Sequence, residues 1–203
     1  MLDFNFSEFI TNNKLILDGK KLSNYRISGI RKESVEIKRC IMENMVFEND
    51  FEGDVVFIEE CTFINCKFFD VFKREELLLL IMNNTFRNCI FENVSYHGYI
   101  QQSEVVDSEF LNCVFKNIEI KGDISFINLN IQKSSVTSIY YEGNQILGNE
   151  FVDVSINDSI FKGAAIQNRI EKVYFRSVKL IGYNQDNEFI DSNTDGFIFI
   201  EEF

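Results

Sequence analysis

Three segments of this chain repeat one ten-residue pattern, and nothing else in the sequence restricts the fold as strongly. They are Cys61-Thr62-Phe63-Ile64-Asn65-Cys66-Lys67-Phe68-Phe69-Asp70, Asn84-Thr85-Phe86-Arg87-Asn88-Cys89-Ile90-Phe91-Glu92-Asn93 and Ser108-Glu109-Phe110-Leu111-Asn112-Cys113-Val114-Phe115-Lys116-Asn117. Phe, Asn, Cys, Phe and Asn or Asp return at the same places. Self-similarity at a fixed period of this size is the mark of a solenoid, in which each copy buries its apolar face only against its neighbours.

Eight copies align when started at Lys20, Cys40, Cys61, Asn84, Ser108, Leu129, Asn149 and Val173, with spacings of 20, 21, 23, 24, 21, 20 and 24 residues. The first apolar column reads Leu22, Met42, Phe63, Phe86, Phe110, Ile131, Phe151, Phe175. Five residues on runs Ile27, Phe47, Phe68, Phe91, Phe115, Val136, Ile156, Leu180. Both stay apolar throughout a chain that is 26% charged, so both are expected to face inward. A column of small residues, including Cys66, Cys89 and Cys113, lies two places before the second. Polar columns follow, one running through Asn24, Asn44, Asn65, Asn88, Asn112 and Asp153, the other through Asp70, Asn93, Asn117 and Asp158.

Within a copy the unit is five residues. That period matches neither a helix, at 3.6, nor a plain strand, at 2, and suits a chain that turns a corner every five residues. The series Phe126, Ile131, Val136, Tyr141, Ile146, Phe151, Ile156, Phe161, Ile166 keeps it without a break. The chain thus resembles the pentapeptide-repeat family over residues 20–182, although that family's favoured Ala-Asp/Asn-Leu is nearly absent. The resemblance implies an all-β fold, a right-handed quadrilateral β-helix of about eight coils. Residues 1–19 are expected to cap one end and residues 183–203 to form the other cap or a dimerisation segment. Some members dimerise end to end, which makes a homodimer through Phe197, Phe199 and Phe203 an expectation here.

The search for chemistry gives a negative result. The single histidine, His97, is expected at a corner or loop with no evident partner. There is no phosphate-binding glycine loop, no Cys-x-x-Cys and no nucleophile elbow. The five cysteines fall in two columns and read as small inward residues. Asp70, Asp153 and Asp158 could be weighed as cation ligands, but corner hydrogen bonding explains their columns. No catalytic residue, cofactor or metal is expected. No segment looks long or apolar enough to span a membrane, and no signal-peptide pattern stands at the N-terminus, so the expected location is the cytoplasm.

Net charge of −12 disfavours direct nucleic-acid binding, which calls for a basic stripe. It is compatible with a rigid acidic rod that binds a DNA-binding enzyme. The resemblance extends this, because some pentapeptide-repeat proteins protect DNA gyrase or topoisomerase IV, apparently by mimicking DNA. The leading expectation is therefore a non-enzymatic protein-interaction module. Alternatives are a carbohydrate-active or carbohydrate-binding protein on a wider β-helix, and an immunity or effector protein with one specific partner. Outward apolar positions offer a partner surface, with Ile64, Leu111 and Val152 in one column and Val46, Ile90 and Val114 in another.

Overall fold

The computed structural model describes all residues except 1, 4, 6, 29–30, 49–51, 70, 72–77, 93 and 202–203. At 2, 31, 33, 52–54, 78, 95–103 and 123 it describes the backbone alone. Strands account for nearly everything, and the one helical segment among the described residues is a 3-10 turn at Ser7–Phe9. The chain is a β-solenoid of about eight coils. A nine-stranded parallel ladder makes its first side, and a second sheet, whose long strands bend at the corners, wraps the others. Strand Val114–Ile127, for example, supplies three successive sides of one coil.

The two apolar columns stack as the period requires. On the first side Met42, Phe63, Phe86, Phe110, Ile131 and Phe151 pair rung to rung. On the second, Ile27, Phe47, Phe68, Phe91, Phe115, Val136 and Ile156 do the same. One register differs from expectation. Ile170 follows Phe151, and Phe175 follows Ile156, so the last full coil starts one pentad earlier than Val173. The coils here contract to 19 residues. Ile170, Phe175 and Leu180 are all apolar pentad centres, so a slip of five leaves the pattern unchanged. The same contraction turns Ile166 outward and gives the inward place to Ala165, opposite Ile146.

The ladders also run past the expected limits at 20 and 182. Lys14–Asp18 pairs in parallel with the strand 31–38, and Phe197–Ile200 pairs in parallel with Val178–Ile181. Glu188–Ile190, an echo of Glu150–Val152, forms the last rung of the first side. His97 lies within strand Ser95–Val106 and not in a loop; its side chain is outside the described set.

The polar columns are the corners. Asn24, Asn44, Asn65, Asn88, Asn112, Lys133, Asp153 and Lys172 all have φ between 49° and 62°. Asn tolerates this left-handed conformation better than most residues. Along one edge each amide donates to the Asn one coil below: Asn44 to Asn24 (3.2 Å), Asn65 to Asn44 (3.2 Å), Asn88 to Asn65 (3.0 Å) and Asn112 to Asn88 (2.8 Å). The sequence separations of these bonds, 20, 21, 23 and 24, are the coil lengths. The 24-residue coil carries additional residues at 99–102, where the pairing register shifts between Gly98 and Ser103. A further corner is glycine. A Cβ on Gly163 would lie 2.5 Å from the Gly143 carbonyl, and one on Gly182 2.5 Å from that of Gly163.

Candidate functional site

The interior explains the cysteines first. Cys66, Cys89 and Cys113 are fully buried in one stack, and Cys40 and Cys61 in another. Each thiol lies against backbone carbonyls, as Cys66 does with Met42 (3.3 Å) and Ile64 (3.4 Å). Hydrogen bonds with Cys113 and Cys66, and then burial, push the Cys89 thiol well above its ordinary range. The Cys40 contact and burial do the same to Cys61. Cys61 and Cys89 are held protonated in this way, while the same thiol–thiol contacts lower Cys40, Cys66 and Cys113. Among the described residues no three His, Cys, Asp or Glu side chains converge as metal ligands would. Asp153 and Asp158 are left-handed corner residues; Asp70 lies outside the described set.

Further along, the column of Cys40 and Cys61 continues through Asn84, Ser108 and Leu129 to Asn149 and Asn168. Asn149 and Asn168 are buried, and their backbone N–H groups donate to the Oδ1 of the next Asn, Asn168 (2.9 Å) and Asn187 (2.8 Å). Their side-chain amides reach the carbonyls of Phe126 (3.1 Å) and Ile146 (2.9 Å). Buried amides satisfied in this way fix the coil register, because a slip would leave several unpaired at once. Tyr141, also fully buried, donates its hydroxyl to the Ile124 carbonyl at 3.0 Å, and burial pushes its ionisation upward.

The outward positions chosen from sequence do not make one continuous surface. Ile64, Leu111 and Val152 do share a column, but Arg87 and Gln132 sit on the intervening rungs. All three are half-buried. Lys67 separates Val46 from Ile90, leaving Ile90 and Val114, each 39% exposed, as an adjacent pair. Lys67 and Lys116 both reach Glu92, at 3.6 and 3.5 Å, beside that pair.

A continuous apolar ridge exists elsewhere. Met82, Val106, Ile127, Leu147 and Ile166 occupy one outward column on five consecutive rungs of the fourth side, each half-buried against its neighbours. Their outward direction is shown by the residues that hold the same column at its ends: Lys38 and Glu59 before Met82, and Gln185 after Ile166. Each ridge residue precedes a left-handed corner residue, such as Asn83, Asp107, Asn128 or Gln167. Sequence reasoning missed the ridge because its residues lie outside the strict ten-residue motif. The signal was available in the residue two places before each copy's start.

Charge is distributed in pairs. Arg169 bridges Glu150 and Glu171, Lys162 meets Glu142 at 3.9 Å, and Arg26 meets Glu48 at 3.2 Å. On one column Lys121, Glu142 and Lys162 alternate in sign. At the C-terminal end Phe189, Ile198, Phe199 and Ile200 are exposed, Phe197 is half-buried, and Phe203 lies outside the described set. Among the described residues no helix is long and apolar enough to cross a membrane.

With inward apolar residues about five apart, a four-sided parallel ladder and left-handed polar corners, the chain is a four-sided β-solenoid. No family model and no curated protein matches it. Solved structures do. The chain is similar to HetL, a pentapeptide repeat protein involved in heterocyst differentiation regulation from the cyanobacterium Nostoc sp. strain PCC 7120. Identity there is 6%, coverage 91% of this chain and 87% of that one, and the TM-score 0.45. It is also similar to full-length QnrB1, a plasmid-mediated fluoroquinolone resistance protein, at 12% identity, with coverage of 92% and 90% and a TM-score of 0.31. For a trypsin-treated form of QnrB1 the values are 13%, 92%, 88% and 0.36.

Proposed function

We propose that this chain is a non-enzymatic protein-interaction module that engages its partner along the fourth side. The observation that carries this reading is the five-rung ridge of Met82, Val106, Ile127, Leu147 and Ile166, flanked by polar corners. Apolar side chains clustered on an outer face and rimmed by polar residues mark interaction surfaces. A rigid rod offers such a ridge to a partner without ordering cost on its own side. The test is the double variant I127E/L147E. It should fold as the parent does and lose the partner that the parent retains from its native host. A variant that keeps every partner of the parent would exclude the ridge.

The narrower reading, a DNA mimic acting on DNA gyrase or topoisomerase IV, is supported by the rod shape and the net charge of −12. The alternation of acids with Lys and Arg along the ladders weighs against one uniform acidic face. A supercoiling assay with and without a fluoroquinolone decides it, and no effect of micromolar protein in either arm rejects the mimic. End-to-end dimerisation is a second part of the proposal, supported by the exposed Phe199 and by the last-rung strand Phe197–Ile200. Sedimentation equilibrium should give a dimer that Phe199→Asp dissociates; a monomeric parent rejects it.

A further inference from the structure

The inward columns change character halfway along the rod. From Phe63 to Phe115 the first and second sides both carry Phe; beyond it the smaller Ile131, Val136 and Ile156 come in beside Phe151. At this change the axis of the solenoid encloses a cavity of about 170 Å³. Its walls are apolar side chains from every side of the coil, among them Val105, Phe115, Ile131, Val136 and Phe151. Asn149 borders it, but the Asn149 amide is committed to the Phe126 carbonyl and to Asn168. A second cavity, of about 70 Å³, continues toward the C-terminal end and shares Ile146, Phe151, Ile156 and Phe161 with the first. Phe115, Phe126, Phe151 and Phe161 point inward yet stay only half-buried, because they line this space.

Water gains nothing in such a site, since it needs two to four polar partners. An apolar cavity of about 150 Å³ with comparable walls stays dry and takes up benzene or xenon. We infer that the interior between the Val105 and Ile156 rungs is a binding site for small uncharged apolar molecules, of the size of benzene or a short unbranched hydrocarbon. Recognition there is by shape and dispersion alone, so charged or hydroxyl-rich ligands are excluded. The site is independent of the outward ridge.

The structure also supplies the control. Ile131→Phe and Val136→Phe place in the cavity the side chain that the same columns carry one rung earlier, at Phe110 and Phe115. The test is methyl NMR of the protein titrated first with xenon and then with benzene. Saturable shifts are expected at Ile131, Val136 and Ile146 and not at the ridge residues Ile127 and Leu147. In I131F, or in V136F should I131F fail to fold, those shifts should be lost while the melting temperature rises. Absence of saturable shifts at the inward methyls of the parent overturns the inference. So do shifts confined to the ridge, or unchanged binding in a folded filled variant.

Discussion

The two halves of this rod share one backbone plan and differ in how completely they fill it. In the N-terminal half, two Phe columns lock together. Successive rings stack face to face within each column, at 4.6 Å for Phe47–Phe68, 4.8 Å for Phe63–Phe86 and 4.7 Å for Phe68–Phe91. Between columns they meet edge to face, at 5.5 Å for Phe63–Phe68 and for Phe86–Phe91. Both are favoured aromatic geometries. In the C-terminal half the rings are tilted, as in Phe126–Tyr141 at 33° and Tyr141–Phe161 at 41°. There the walls stand around a cavity, and buried Asn ladders take the place of the thiols. The difference teaches that the pentad period sets the backbone, while the size of the residue at each centre decides whether the middle is filled.

The largest effect that can break this comparison is a charge in the Phe stack. Phe86→Asp places an unpaired carboxylate between stacked rings and should abolish the folded state, read by circular dichroism. A folded F86D rod would show the stack to be dispensable. Next, Asn88→Ala removes an amide from the corner ladder and leaves a Cβ at φ 53°. It should cost about 1–2 kcal/mol, with Asn88→Gly costing less. Equal costs in denaturant titration would mean that the left-handed corner is unstrained. Ile131→Phe should stabilise by about 0.5–2 kcal/mol by filling the C-terminal cavity, and destabilisation would mean the space is not there. The smallest effect concerns the thiols. All five are buried, so a thiol reagent should label the native protein only as fast as it unfolds. Rapid labelling of Cys66, Cys89 or Cys113 would place that stack on the surface.

Much of the architecture was legible in the sequence because stacking forces like residues into register. The Phe63, Phe86, Phe110 column and the Asn24 to Asn112 corners could be read directly, since each position meets its own equivalent one coil away. The end of the repeat was less legible. A coil of 19 residues where 24 were expected shifts the register by one pentad, and pentads of equal polarity look alike. The candidate surface was legible least of all. Outward positions are free to vary from rung to rung, so Arg87 and Gln132 interrupt the column of Ile64, Leu111 and Val152. Met82, Val106, Ile127 and Leu147 stand two places before successive copies, but Ile166 joins this ridge only in the register of the 19-residue coil.

The central claim, a sealed half and a wider half on one scaffold, is tested most directly by equilibrium unfolding of Phe63→Ala against Phe151→Ala. Both remove the same ring from the same first-side column. Phe63 is fully buried and stacked on Phe86, away from the cavity, whereas Phe151 borders it. A loss of about 3–5 kcal/mol is expected for Phe63→Ala and a clearly smaller one for Phe151→Ala. Equal losses, or a larger loss at Phe151, would contradict it.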